Sequence, residues 1–250
     1  MAAGARLCFW CGGPPARGKR DHVFQRGLFL PALTNPLTVP ACELHNEAFS
    51  DHDQYFRDSI VSGSWRHPEA RRIWDEKTRQ QFRESPKYAA MTLRQVSQHD
   101  VRTPVGLHRG PLLLSFPNKA RIELVFRKII RGLYCHHFDE RRSLGPIELK
   151  LWQISPLSPL PPDEIRNALL LFPMQSLGHV QYKFITEPDL DPALGYEALA
   201  MASFFDRRIG FVFAAATSEK DDRLSIGARP RLWIPDRRPA RRLPRTLVLP

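Results

Sequence analysis

The chain has little cysteine: four residues in 250, Cys8, Cys11, Cys42 and Cys135, three of them in the first fifth. A secreted disulfide scaffold uses more, spread over a shorter chain, so that class is excluded. Long apolar runs are also lacking. No stretch approaches the roughly 18 unbroken apolar residues of a membrane span, and MAAGARLCFW shows no apolar core behind a basic head. Neither a transmembrane helix nor a signal peptide is expected, which points to a cytoplasmic protein. Acidic residues are scarce beside basic ones, 26 against 37, leaving a net charge of +11. Such a balance suits a polyanionic partner, nucleic acid before an anionic membrane, with a solvated basic surface as the plain alternative. A nucleic acid, and no membrane, is the partner that this charge leads one to expect.

Along the chain, residues 1–60 are dense in motifs, and 61–104 read as a helical connector. In the connector, HPEARRIWDEKTRQQFRES opens on a proline suited to a first turn and carries an apolar stripe too thin for strong packing. Residues 105–220 read as an α+β domain. PLLLSF, PIELKLWQI and HVQYKFI have strand character, and PPDEIRNALLLF opens a helix. KARIELVFRKIIRGLYCHHF sets Ile122, Val125, Phe126, Ile129, Ile130 and Leu133 on one helical face, and ALAMASFFDRRIGFVFAAA reads as a hairpin turning at 206–208. The last segment, 221–250, is a basic tail rich in proline and arginine that either lies on phosphates or stays solvated.

The chemistry concentrates in CFWCGGPPARGKRDHVFQRGLF, residues 8–29, and NPLTVPACELHNEAFSDHDQYF, residues 35–56. A structural zinc takes four thiolate or imidazole ligands, delivered as two short knuckles that the fold brings together. Cys8-x-x-Cys11 is one knuckle, and Cys42-x-x-His45 repeats its spacing about thirty residues later. A lone CxxC reads equally as a redox pair, but that reading leaves Cys42 and His45 without a role. Asp21-His22 and Asn46 remain. Hard cations such as Mg2+ or Mn2+ prefer oxygen ligands, which the Asp21 carboxylate and the Asn46 amide would offer. A neutral His22 could then take a proton from an attacking water, the outline of a phosphodiester hydrolase. Arg17, Lys19, Arg20 and Arg26 flank the pair and would neutralise phosphates.

This order of residues (CxxC, Asp-His, Asn, then VPxCxxxN and FSxxDxYF) resembles the zinc-bound branch of the HNH endonucleases. The resemblance covers about residues 8–56. It implies an α+β fold whose N-terminal module is a zinc-stapled ββα-metal hairpin and helix, followed by a mixed α+β domain and the basic tail. It also implies an enzyme that cuts DNA. By the resemblance, His22 is the general base, Asp21 and Asn46 are ligands of the catalytic Mg2+ or Mn2+, and Asn35 braces the loop and orients the base. Cys8, Cys11, Cys42 and His45 are then the structural zinc ligands. The family usually carries cysteine where His45 stands, often a proline shortly after the base, and often an acid near position 52, where this chain has His52 between Asp51 and Asp53.

Each assignment has a plain alternative. Asn46 could cap its helix and Asn35 could serve the turn before Pro36. His52 reads as a solvated helix residue. Cys135, His136 and His137 diverge around a helix and suit core packing and the helix C-terminus better than a shared metal. Adjacent strand residues face opposite ways, so Asp21 and His22 can share a site only if the strand ends, bulges or twists there. If one helix runs on from Asn46, Ser50 and Asp53 lie on its metal-facing side while Phe49, Phe56 and Ile60 anchor it. A non-catalytic, zinc-stapled nucleic-acid-binding protein is the rival reading, and cutting both strands of a duplex would call for a homodimer.

Overall fold

The structure, a computed structural model, describes residues 6–94, 96–102, 108–115, 118–138, 140–154, 159–207 and 209–218; within 96–115 it describes the backbone alone. The chain is mixed α+β. It opens with a short antiparallel pair, β1 (Arg20–His22) and β2 (Thr38–Pro40), in which Asp21 lies opposite Val39 and His22 opposite Thr38. Two helices follow, α1 (Glu43–Glu47) and α2 (Ser50–Gly63). Next, α3 (Pro68–Ile73) passes through a π-helical turn, Trp74–Thr78, into α4 (Arg79–Glu84), and α5 (Pro86–Leu93) succeeds it. Their starts are written locally. Proline occupies the first turn of α3 and α5, where its missing N–H costs nothing, and the His67 ring and the Ser85 hydroxyl accept backbone N–H groups that would otherwise be orphaned.

An antiparallel hairpin, β3 (Val96–Arg102) with β4 (His108–Ser115), precedes the long helix α6 (Lys119–His137), whose first turn is capped by the Asn118 side chain. The remaining elements are β5 (Ile147–Ile154), α7 (Asp163–Leu170), β6 (Gln175–Leu177), β7 (Val180–Thr186), β8 (Ala198–Phe204) and β9 (Ile209–Thr217). The five strands form one antiparallel sheet in the order β5-β9-β8-β7-β6. Alternation divides its side chains between two cores. Ala200, Ala202, Phe204, Phe211 and Phe213 share a core with α6, whereas Leu199, Val212 and Ala214 meet Ile165 and Leu169 of α7.

The larger core does not stop at the sheet. Phe56 of α2 lies edge-on to both Phe126 of α6 and Phe204 of β8, at 5.4 and 5.6 Å between ring centres. Cys8, Phe9, Trp10, Val39 and Phe49 belong to the same cluster, so the first fifty residues and the sheet are welded through α6. Gly132 marks the closest approach: a Cβ there would stand 3.0 Å from Val23 Cγ2, just beyond the end of β1. Glycine in mid-helix costs about 1 kcal/mol relative to alanine, and here it lets α6 seat against the hairpin.

The helix α6, the strands β4, β5 and β7, the helix α7 and the β8–β9 hairpin lie where the hydrophobic pattern puts them. Two elements depart from it. Residues 96–102, inside the stretch expected to be helical, form β3. The connector also packs more tightly than its thin stripe implied: Ala70 and Ile73 are fully buried. Thr78 and Tyr88 converge on the buried Asp58, whose carboxylate accepts from Thr78 Oγ1 at 2.6 Å, Tyr88 Oη at 2.7 Å and Arg57 Nε at 2.8 Å. A polar network, satisfied by these donors, supplies what apolar area does not. The basic tail falls outside the described residues.

The turn after β8 is strained. Phe205, Asp206 and Arg207 all adopt positive φ, 53°, 53° and 65°, a region unfavourable for bulky side chains. It is held by an Asp206 to His67 contact of 2.9 Å and by Phe205 stacked on His179 at 4.3 Å, with Phe29 on the same imidazole at 5.2 Å. Burial, with the neighbouring His67 adding, lowers the His179 pKa to about 4. A histidine near 6.5 when unfolded and near 4 when folded makes the unfolded state bind more protons between those values, so stability falls as pH drops through that window. His179→Phe is expected to remove about 2–3 kcal/mol of that acid sensitivity, read as the difference between the two proteins' urea midpoints at pH 7 and pH 4.5.

Candidate metal centre

The N-terminal loop reaches its metal-ligating form through backbone geometry. Cys8 N–H donates to Gly13 O at 2.8 Å and Gly12 N–H to Cys8 O at 2.9 Å, which closes the first knuckle. Gly12 sits at φ +70°, and a Cβ there would come within 2.8 Å of Ser143 Oγ, so only glycine fits. The second knuckle is the start of α1. Cys42 is its N-cap residue but makes no side-chain cap bond, which leaves its sulfur to face the first knuckle. Hydrogen bonds from Phe9 N–H to Pro40 O, from Ala16 N–H to Ala41 O and from Ala41 N–H to Lys19 O hold the two loops together.

The ligand atoms of Cys8, Cys11, Cys42 and His45 consequently lie within 4.8 Å of one another, and no other such group occurs among the described residues. His45 Nδ1 stands 3.0 Å from Cys42 Sγ and 3.8 Å from Cys8 Sγ. Ligands around a tetrahedral ion with metal–sulfur bonds of about 2.3 Å lie roughly 3.8 Å apart, so this group could hold a metal ion, and its soft donors suit zinc. The thiols are polarised unequally. Burial works against a Cys8 thiolate, yet the His45 ring and the N–H groups of Cys11, Cys42 and Trp10 outweigh it and lower the pKa. Burial pushes the Cys42 thiol up, with Cys8 and Cys11 adding repulsion, a charge crowding that a bound cation relieves. Around the centre, Trp10 packs on Phe49 at 4.8 Å and carries the Arg131 guanidinium on its ring at 4.9 Å.

The Asp21-His22 pair lies on β1. β1 ends at His22, and the His22 N–H folds back onto Asp21 Oδ1 at 2.7 Å. The Asp21 side chain turns into the protein, where its Oδ2 faces Lys128 Nζ of α6 at 3.2 Å; the same ammonium donates to Asp53 Oδ2 of α2 at 2.6 Å. Burial alone would lower the Lys128 pKa, but Asp53 and Asp21 more than compensate, and it stays raised. Burial raises that of Asp53 against the pull of Lys128. His22 is half-buried. Desolvation first, then Lys128 and Arg26, lower its pKa against the attraction of Asp21, so the imidazole is a neutral base at neutral pH.

The other candidates are distributed unevenly. Asn46 is half-buried on α1, its N–H bonded to Cys42 O, and Asn35 is exposed in the loop before Pro36. The helix expected to run on from Asn46 breaks between α1 and α2. Ser50 is exposed, and its hydroxyl donates to Glu47 O at 2.8 Å. Phe49, Phe56 and Ile60 are buried anchors, as their spacing implied, and His52 is half-buried rather than solvated. Arg17, Lys19 and Arg26 are exposed, while Arg20 is already engaged by Thr38 O at 2.7 Å and Glu140 Oε1 at 2.5 Å. Cys135 is buried in the core and the His137 ring meets Tyr182 Oη at 3.1 Å, a packing role for the cluster near the end of α6. Lys128 belongs to no local motif, because its partners Asp21 and Asp53 lie far away in sequence.

No helix among the described residues is long and apolar enough to cross a membrane. No protein-family profile, curated protein or solved structure matches the chain.

Proposed function

We propose that the chain is a metal-dependent endonuclease of the HNH type that hydrolyses phosphodiester bonds in DNA, with a structural zinc held by Cys8, Cys11, Cys42 and His45. One observation carries the reading. A four-ligand group that could hold a soft metal joins the loop before the Asp21-His22 hairpin to the start of the helix bearing Asn46, and this chain order resembles that of the ββα-metal nucleases. The lowered pKa of His22 and the exposed cations Arg17, Lys19 and Arg26 around it support the same reading.

The donors near His22 suit a hard cation. Asp53 Oδ1 is a buried carboxylate oxygen that receives no hydrogen bond among the described residues, and Asp21 Oδ2 faces the Lys128 ammonium at 3.2 Å. Asp21 and Asn46 would hold Mg2+ or Mn2+, which supplies charge neutralisation at the scissile phosphate when bound. His22 takes a proton onto a ring nitrogen from a water molecule as the water oxygen attacks phosphorus. The bond from phosphorus to the leaving 3′ oxygen breaks, and that oxygen is protonated from solvent. Arg26, near enough to depress the His22 pKa, is placed to meet a phosphate oxygen.

A second reading draws on Lys128. Its ammonium already neutralises Asp21 and Asp53, as a cation would in a zinc-stapled nucleic-acid-binding protein without catalysis. Supercoiled plasmid separates the two. Nicking or linearisation that needs Mg2+ or Mn2+ and stops with EDTA supports the nuclease; intact plasmid that is nevertheless retarded on a gel establishes the binding protein.

A further inference from the structure

Helix α6 brings to the acid-histidine site a residue that the N-terminal motif does not contain. Lys128 is 1% exposed and lies between two carboxylates, with Phe49 beneath its ammonium at 5.3 Å. A surface lysine keeps its head in water; this one is fixed by groups from β1, α2 and the turn between α1 and α2. A buried charge is unfavourable unless paired, and its helix neighbours Ile129 and Ile130 fill the core as hydrocarbon. Those neighbours carry no such cost, so the charge itself needs an explanation. Asp21 supplies it. One of its oxygens is held by the His22 N–H and the other faces Lys128, so the carboxylate is fixed from two sides.

Resting on the metal-dependent reading above, we propose that Lys128 is a positioning residue of the hydrolytic site, one that orients the Asp21 carboxylate and, as a built-in positive charge on it, weakens the site's hold on a divalent cation. A fixed ammonium beside a ligand oxygen repels an incoming dication strongly where water is largely excluded. Phosphate from a bound nucleic acid adds negative charge and offsets that repulsion, so metal and substrate bind with positive coupling.

The test is calorimetric titration of Mn2+ into the full-length, zinc-loaded protein. Lys128→Met is expected to bind Mn2+ about tenfold or more tightly than the wild type, while melting at a lower temperature without Mn2+ and recovering part of that loss with it. A lysine with a purely structural role predicts the opposite sign: with Asp21 no longer held, Mn2+ would bind equally or more weakly, and that result overturns the proposal. Should Lys128→Met fail to fold, the double variant Lys128→Met/Asp53→Asn removes the lysine together with its acid partner, and the same tightening is expected. Wild-type protein that takes up no Mn2+ beyond the zinc centre, with or without DNA, would overturn the metal-dependent reading as well; Mn2+ binding that Lys128→Met leaves unimproved overturns the Lys128 proposal alone.

Discussion

Removing zinc from the N-terminal centre, by chelation or by Cys42→Ser, is expected to unfold the first sixty residues and to loosen everything packed on them. Regular structure around the centre is meagre: β1 and β2 are three residues each and α1 is five. A two-stranded ribbon of that length is not stable on its own in water. The knuckles nevertheless position Cys8, Phe9 and Trp10, all essentially fully buried in the core that α6 and the sheet share. Structural zinc contributes about 10–16 kcal/mol to folding in small zinc modules, as much as the whole stability of an ordinary domain. The unfolding should therefore extend past residue 60, because loss of Trp10 leaves the buried Arg131 guanidinium without the ring it stacks on. Elemental analysis should give one zinc per chain for the wild type and none for Cys42→Ser, with early proteolytic cleavage in residues 6–60 and a large fall in melting temperature. Cys135→Ser, altering a core cysteine outside the centre, should keep its zinc. A chelated protein that melts and resists protease like the untreated one would show that the cluster holds no structural metal.

The parts of this molecule that could be read in its sequence are those whose cause is local. The two knuckles are legible because ligand spacing and the glycine at φ +70° are written within a few residues. Helix α6 is legible because its buried face repeats at intervals of three and four. The strand β8 was legible as a strand, but being apolar at nearly every position it could not say that one face meets α6 and the other α7. Interactions that close long loops leave no local trace. Lys128 meets Asp53 across 75 residues, and Arg20 meets Glu140 across 120. For that reason neither the pairing of the charge on α6 nor the engagement of Arg20 by Thr38 and Glu140 can be read from the sequence. The break between α1 and α2 carries neither proline nor glycine, and so nothing local announces it. The strand β3, VSQHDVR, lacks the apolar alternation that would distinguish it from a polar helix.

His22→Ala is expected to cost about 10²–10⁴-fold in the rate of DNA cleavage while leaving zinc content, fold and DNA affinity near those of the wild type. The side chain stands at the end of β1, half-buried, and the bond to Asp21 comes from the His22 backbone, which alanine retains. What alanine removes is a base that burial, Lys128 and Arg26 together keep unprotonated. The loss should fall on kcat rather than on binding, because the flanking cations proposed to meet phosphate are untouched. Asp21→Asn makes the contrasting case: the amide can still receive the His22 N–H, but it surrenders the charge that faces Lys128 and that would hold the cation, so its cleavage should be restored in part by raising Mn2+, whereas that of His22→Ala should not. Single-turnover cleavage of a labelled duplex across a Mn2+ series distinguishes the two. If His22→Ala cuts as fast as the wild type, the proton goes elsewhere and the assignment of His22 as base is wrong; if neither protein cuts at any Mn2+ concentration while both bind the duplex, the Asp21–Lys128–Asp53 cluster is a structural ion pair and the chain is a binding protein.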